Sequence, residues 1–139
     1  MQSYAGNGTL TAFAQQLHQE LSLTGYSLLL EDMLHALQLD AQYYASWAVL
    51  EVQNNSTVPI LINENTPLQL YEWAIIEPVF RSHCDLLQAR LVEGSRSLGG
   101  DGFGLSVAEA NQLYTESKKI MQNEAFIEPP ISFKTFEGL

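Results

Sequence analysis

The sequence predicts a mainly α-helical fold: a small helical bundle with one β-hairpin and an extended C-terminal tail. Three observations predict it. Apolar residues recur at three- and four-residue spacing over several long stretches. Aromatic and β-branched residues flank Asn54, Asn55 and Ser56, which suits two strands and a turn. Pro129-Pro130 opens a last stretch in which Ile131 and Phe133 alternate with Ser132 and Lys134. At 139 residues the chain reads as one helical domain over 1–125, with the hairpin at about 44–62, followed by a tail over 126–139. A chain this long buries roughly two-thirds of its unfolded surface and needs no covalent staple.

Residues 1–8 are small and polar and read as an arm. Thr9 suits an N-cap for a helix from Leu10 to about Leu21, because Leu10, Phe13, Ala14, Leu17 and Leu21 share one face. Gly25 breaks the pattern. A second helix is expected from about Ser27 to Leu37, with Leu30, Met33, Leu34 and Leu37 inward.

The hairpin follows. Trp47 and Val49 suit a first strand and Val58 to Ile62 a second, which Pro59 assigns to an edge. Tyr43 and Tyr44 beside Trp47 form either an exposed aromatic cluster or a cover for one end of the bundle.

Thr66-Pro67-Leu68-Gln69 reads as a helix start, with Thr66 as cap, Pro67 in the first turn and Gln69 completing a capping box. The helix is expected to reach about Leu98. Trp73, Ile76, Phe80, His83, Leu87 and Leu91 form one stripe along it, and Trp73, Phe80, Leu87 and Leu91 are the expected core. Ile75, Val79 and Leu86 make a second apolar flank. Glu77, Arg81 and Asp85 stand four apart and can pair in sequence. Pro78 lacks an N–H and crowds the Ala74 carbonyl, so a kink or break is expected there.

Leu98 to Gly104 reads LGGDGFG, with glycine at 99, 100, 102 and 104. A phosphate-binding loop follows a strand and often carries a Lys. This one follows a helix, holds Asp101 and no basic residue, and runs into the capping box Ser106-Val107-Ala108-Glu109. It therefore reads as a helix–loop–helix connection, with a last helix to about Gln122. One acid does not make a calcium loop.

Charge is unevenly placed. Up to Phe80 there are eight acids and no Lys or Arg, a net charge of −8. Beyond it six basic and eight acidic residues leave −2. That first part cannot release counterions from a phosphate backbone, which argues against nucleic-acid binding and against an anionic membrane surface. The acids are either plain solvated surface or a face for a basic partner, or one that repels DNA. Cys84 stands alone, so no internal disulfide forms, as suits a reducing compartment. No apolar run is long enough to span a bilayer, and the first residues lack the features of a secretory signal.

Chemistry-bearing motifs are sparse. His83-Cys84-Asp85 are consecutive on a helix and point about 100° apart, so His83 does not serve Cys84 as a base; both read as structural. His18, His35 and His83 lie too far apart for a metal motif. No nucleophile-elbow, zincin or Walker pattern is present. The expectation is a protein that is not an enzyme and takes no cofactor or metal. Ile131, Phe133 and Phe136 are the candidate docking residues, because a tail this apolar has reason to sit on its own bundle or on a neighbour.

The helical body, single hairpin, acidic surface and extended aromatic tail, with LYEWAIIEPVFRSHCDLLQARLVEGSRSLGGDGFG from Leu70 to Gly104, resemble the small neck proteins of tailed bacteriophages, of the head-to-tail connector (adaptor) type. The resemblance is one of build. It implies a structural virion protein assembled in the host cytoplasm, with copies in a ring beneath the portal and partners in the portal and the next neck protein. DNA would pass through the ring without specific binding, and no membrane is involved. The hairpin is a departure, because many adaptors are nearly all helical, and it leaves room for another phage virion or tail-completion protein. Two other classes fit the same residues: an acidic inhibitor that mimics nucleic acid, and a small enzyme with an unrecognised site.

Overall fold

The computed structural model describes residues 7–54, 61–96 and 105–127. LGGDGFG, most of the expected second hairpin strand and the tail with Ile131, Phe133 and Phe136 lie outside the described residues. The elements are β1 (Asn7–Thr9), α1 (Leu10–Leu23), α2 (Leu30–Ala45), α3 (Glu51–Asn54), β2 (Pro67–Gln69), α4 (Leu70–Arg96) and α5 (Val107–Ile127). The described residues are mainly helical, with one antiparallel strand pair among them.

Helix α1 starts where its cap predicts. The Thr9 side chain accepts from the Ala12 N–H, filling one of the donors a helix start leaves open. It ends in a Schellman turn. The Tyr26 N–H reaches the Leu21 carbonyl and the Gly25 N–H that of Ser22, with Gly25 at φ +102°, a conformation that favours glycine.

The second helix starts later and ends later than expected. Ser27 is held outside it, because its N–H donates to Gln88 Oε1 at 2.9 Å. The helix then carries on past Leu37 to Ala45, burying Met33, Ala36, Leu37, Asp40, Ala41 and Tyr44 on one face. Glu31 and Asp32 sit in its first turn, where acids favour the helix dipole.

Among the described residues of 44–62 there is no strand. Residues 46–50 turn into α3, and 61–63 have no strand structure. Instead β1 pairs antiparallel with β2, Gly8 opposite Leu68. The arm thus contributes a strand at its end. A side chain at Gly8 would bring a Cβ within 2.9 Å of the Phe13 ring, so glycine lets the strand lie against α1.

Nor does α4 start at Thr66. Thr66 Oγ1 accepts from the Asn63 N–H in a tight turn, and Pro67 opens β2, where its missing N–H costs nothing. The cap lies three residues on: Glu72 Oε1 accepts the Gln69 N–H at 2.9 Å, the reach-back half of a capping box. Pro78 lies inside α4 on an exposed position and does not break it. Ser106 caps α5, its Oγ accepting from the Glu109 N–H while Glu109 Oε1 accepts from the Ser106 N–H. That pairing lowers the Glu109 carboxyl pKa, chiefly through the Ser106 backbone bond. The helix continues to Ile127, past the expected Gln122.

The main core is drawn from all the longer elements, including Leu10, Phe13, Met33, Leu37, Tyr44, Leu68, Ile76, Phe80 and Met121. Leu86 and Ala89 pack with Ala110 in a smaller cluster between α4 and α5. Phe80 is fully buried, whereas Trp73 and Leu87 are half-buried against the core. Trp73 stacks on Phe13 with ring centres 4.2 Å apart. The fourth expected core residue, Leu91, is 50% exposed. The stripe outruns the bundle at this end of α4, so its apolar side chain faces an open groove.

Candidate functional site

Two linked features concentrate the chemistry: a buried polar cluster and the groove that opens beside it. The cluster begins with Asp40, an acid placed in the apolar face of α2 and only 1% exposed. His83 of α4 meets it, Nδ1 lying 3.0 and 3.1 Å from the two carboxylate oxygens. Tyr114 of α5 donates its hydroxyl to Asp40 Oδ1 at 2.8 Å and packs its ring at 4.4 Å from that of His83. Three helices are thus tied at one buried carboxylate. Tyr114 donates, and the Nδ1–H form of His83 would supply the second donor that a carboxylate taken out of water requires. Burial first, then the Asp40 charge, raises the Tyr114 pKa and keeps its hydroxyl protonated. Lys118 lies over the rings of Tyr43 and Tyr114 at 4.8 and 5.0 Å, a cation–π lid on the cluster.

A groove of about 390 Å³ runs between α2 and α4. Leu28, Ala36 and Leu39 line one wall, and Leu87 and Leu91 the other. Asp32, His35 and Arg90 add polar groups, and the His83 ring is part of the lining. His83 thereby joins the cluster to the groove: Nδ1 is committed to Asp40, and Nε2 is the ring's remaining polar atom. A second, more polar cavity of about 230 Å³ is lined by Phe13, Trp73, Glu20, Glu77 and Arg81, among others. There Arg81 binds Glu20 in a two-pronged pair at 2.7 and 2.9 Å, and Glu77 at 3.0 Å. The expected run from Glu77 through Arg81 to Asp85 stops at Arg81, because Asp85 accepts instead from the Tyr26 hydroxyl.

Cys84 is fully buried. Burial first, then the Asp40 and Asp85 charges, pushes its thiol well above the usual range, which leaves it a packing group without thiolate reactivity. Of the aromatic trio, Tyr44 is buried, Tyr43 is half-buried and Trp47 is exposed at the surface. Two of the first eight acids, Asp40 and Glu72, are interior and do not belong to the acidic surface. Glu72 joins two helix starts: Oε2 accepts the Glu51 N–H of α3 at 2.8 Å while Oε1 holds the Gln69 N–H. The signal for Asp40 was present in its spacing of seven from Met33 within an apolar stripe. That a tyrosine 74 residues away would meet it has no local signature.

Among the described residues, no group of three or more His, Cys, Asp or Glu side chains is placed to hold a metal ion. No described helix is long and apolar enough to cross a membrane. No protein-family model, no characterised protein and no solved structure matches the chain.

Proposed function

We propose that this chain is a structural protein of the neck of a tailed bacteriophage, a head-to-tail connector whose copies form a ring beneath the portal. The charge distribution is the observation that carries this reading. Glu20, Glu31, Asp32 and Glu64 stand exposed, and Glu51 and Glu77 partly so, on a stretch with no Lys or Arg before Arg81. A ring lined by such a surface repels the DNA that must slide through it and offers no phosphate contacts to hold it. The helical body supplies stiff elements, the groove between α2 and α4 supplies an apolar contact surface, and the sequence of the tail supplies an apolar ligand for a neighbour. Asp40, His83 and Tyr114 serve in this reading to lock the bundle.

The test is the protein content and neck density of purified tailed particles. The chain is expected in them at the copy number of one ring, located between portal and tail. Its absence from particles, with the chain found as a monomer on a host enzyme, would replace this reading with the inhibitor.

A further inference from the structure

The groove between α2 and α4 has the features of a site built for an occupant. Leu39 and Leu91, on its two walls, are 46% and 50% exposed. The His83 side chain is about 11% exposed and lines the groove, and no described residue hydrogen-bonds its Nε2. A largely buried polar atom of this kind gains from a partner in the groove. Arg90 lines the same groove and makes no ion pair among the described residues.

We infer that the groove of one copy receives the segment Glu128–Phe136 of a second copy. This rests on the reading of the chain as a ring-forming protein. The segment has the matching chemistry. Ile131, Phe133 and Phe136 suit the leucine walls, Glu128 suits Arg90, and Lys134 suits Asp32.

Reach keeps the chain's own Glu128 and Ile131, though not its Phe136, out of the groove. Helices α4 and α5 run antiparallel, with Ser82 against Ser117, His83 against Tyr114, and Leu86 and Ala89 against Ala110. From the level of Tyr114, α5 continues to Ile127, about 20 Å further along its axis. Leu87 and Leu91 lie on the opposite side of that level. An extended chain covers at most about 3.6 Å per residue, which holds Ile131 within about 14 Å of Ile127. Ile131 therefore cannot return even to the level of His83 in its own chain. A neighbour's segment carries no such tether. A contact of tail on groove is heterologous, the kind of contact that closes into a ring where the rotation between neighbours permits.

The test uses the full-length chain carrying Phe133→Ser, isotopically labelled, titrated with a synthetic peptide of residues 126–139. Saturable NMR shifts are expected, confined to residues 28–39 and 83–91 and including the His83 ring nitrogens. Adding Leu91→Glu should weaken binding about tenfold or more, as loss of a central apolar contact does, with the thermal melt unchanged because Leu91 is half exposed. Arg90→Glu should weaken it too, through charge. No saturable shift at millimolar peptide, shifts elsewhere, or unchanged affinity in the Leu91→Glu chain would overturn the inference. Binding elsewhere leaves the neck reading intact, whereas absence of the chain from particles overturns that reading whatever the titration gives.

Discussion

Single side chains in this protein divide into those that hold the bundle and those that face a groove, and helical spacing alone does not separate them. Phe80 and Leu91 lie on the same predicted stripe, but Phe80 is fully buried and Leu91 half exposed. Truncating a buried Phe to Ala costs about 3–5 kcal/mol, against about 5–15 kcal/mol for a whole domain. Phe80→Ala should therefore lie near unfolding in a urea titration. Leu91→Ala should stay within about 0.5 kcal/mol of the parent. Equal effects would mean that the groove is closed. The tyrosines give a second test. Tyr26 is pushed up to about 12, by burial first and then by its bond to Asp85. Tyr114 is raised as well, by burial first and then by the Asp40 charge. Both raised values favour the protonated phenol in the fold. The stability they contribute is whole below the unfolded value of about 10 and is lost as pH climbs past it, because the unfolded chain then holds fewer protons than the native one. At pH 11 these two groups should leave the folded chain more than one but fewer than two phenolates short of the unfolded chain by ultraviolet absorbance. A full phenolate count with helicity intact would contradict these placements.

Elements were legible in the sequence where their signals are local. Thr9 and Ser106 cap the helices they announce, and Gly25 ends α1, because each of these bonds spans three to five residues. Signals that depend on distant partners misled. Trp47 and Val49 favoured a strand by composition, yet 46–50 turn into α3 and the described strands are Asn7–Thr9 and Pro67–Gln69. These are three residues each, with no β pattern, and they pair only because tertiary packing brings them together. Asp40 hid the second half of α2 by interrupting its apolar stripe. Of the candidate site, His83 was visible as a stripe residue and Asp40 only by its spacing from Met33, whereas Tyr114 and the groove required three helices to be assembled. The start of α4 turned on Glu72, which takes two backbone N–H groups from different elements. A carboxylate can accept both; an amide offers one oxygen. Each orphaned buried N–H costs about 1–3 kcal/mol. Glu72→Gln should thus destabilise by about that amount and Glu72→Ala by more, read as shifts of the urea midpoint. Two variants indistinguishable from the parent would show that these N–H groups are served otherwise.

On the scale of the whole molecule, two features shape the account: a helical body with an acidic, Lys- and Arg-free first half, and an apolar segment that follows its last helix. Ordering such a segment costs entropy, which burial of each Phe offsets by about 1.5–3 kcal/mol if it finds a pocket. The proposal makes that pocket part of another protein in the particle. If so, the body folds without the segment and the particle does not form its neck without it. The measurement that tests this most directly compares the full chain with one lacking Ile131–Leu139, in thermal melting of the purified proteins and in copies per purified tailed particle. The account predicts that the truncated chain melts like the full-length one and is missing from particles. A truncated chain that enters particles at full copy number, or one that no longer folds, would contradict it.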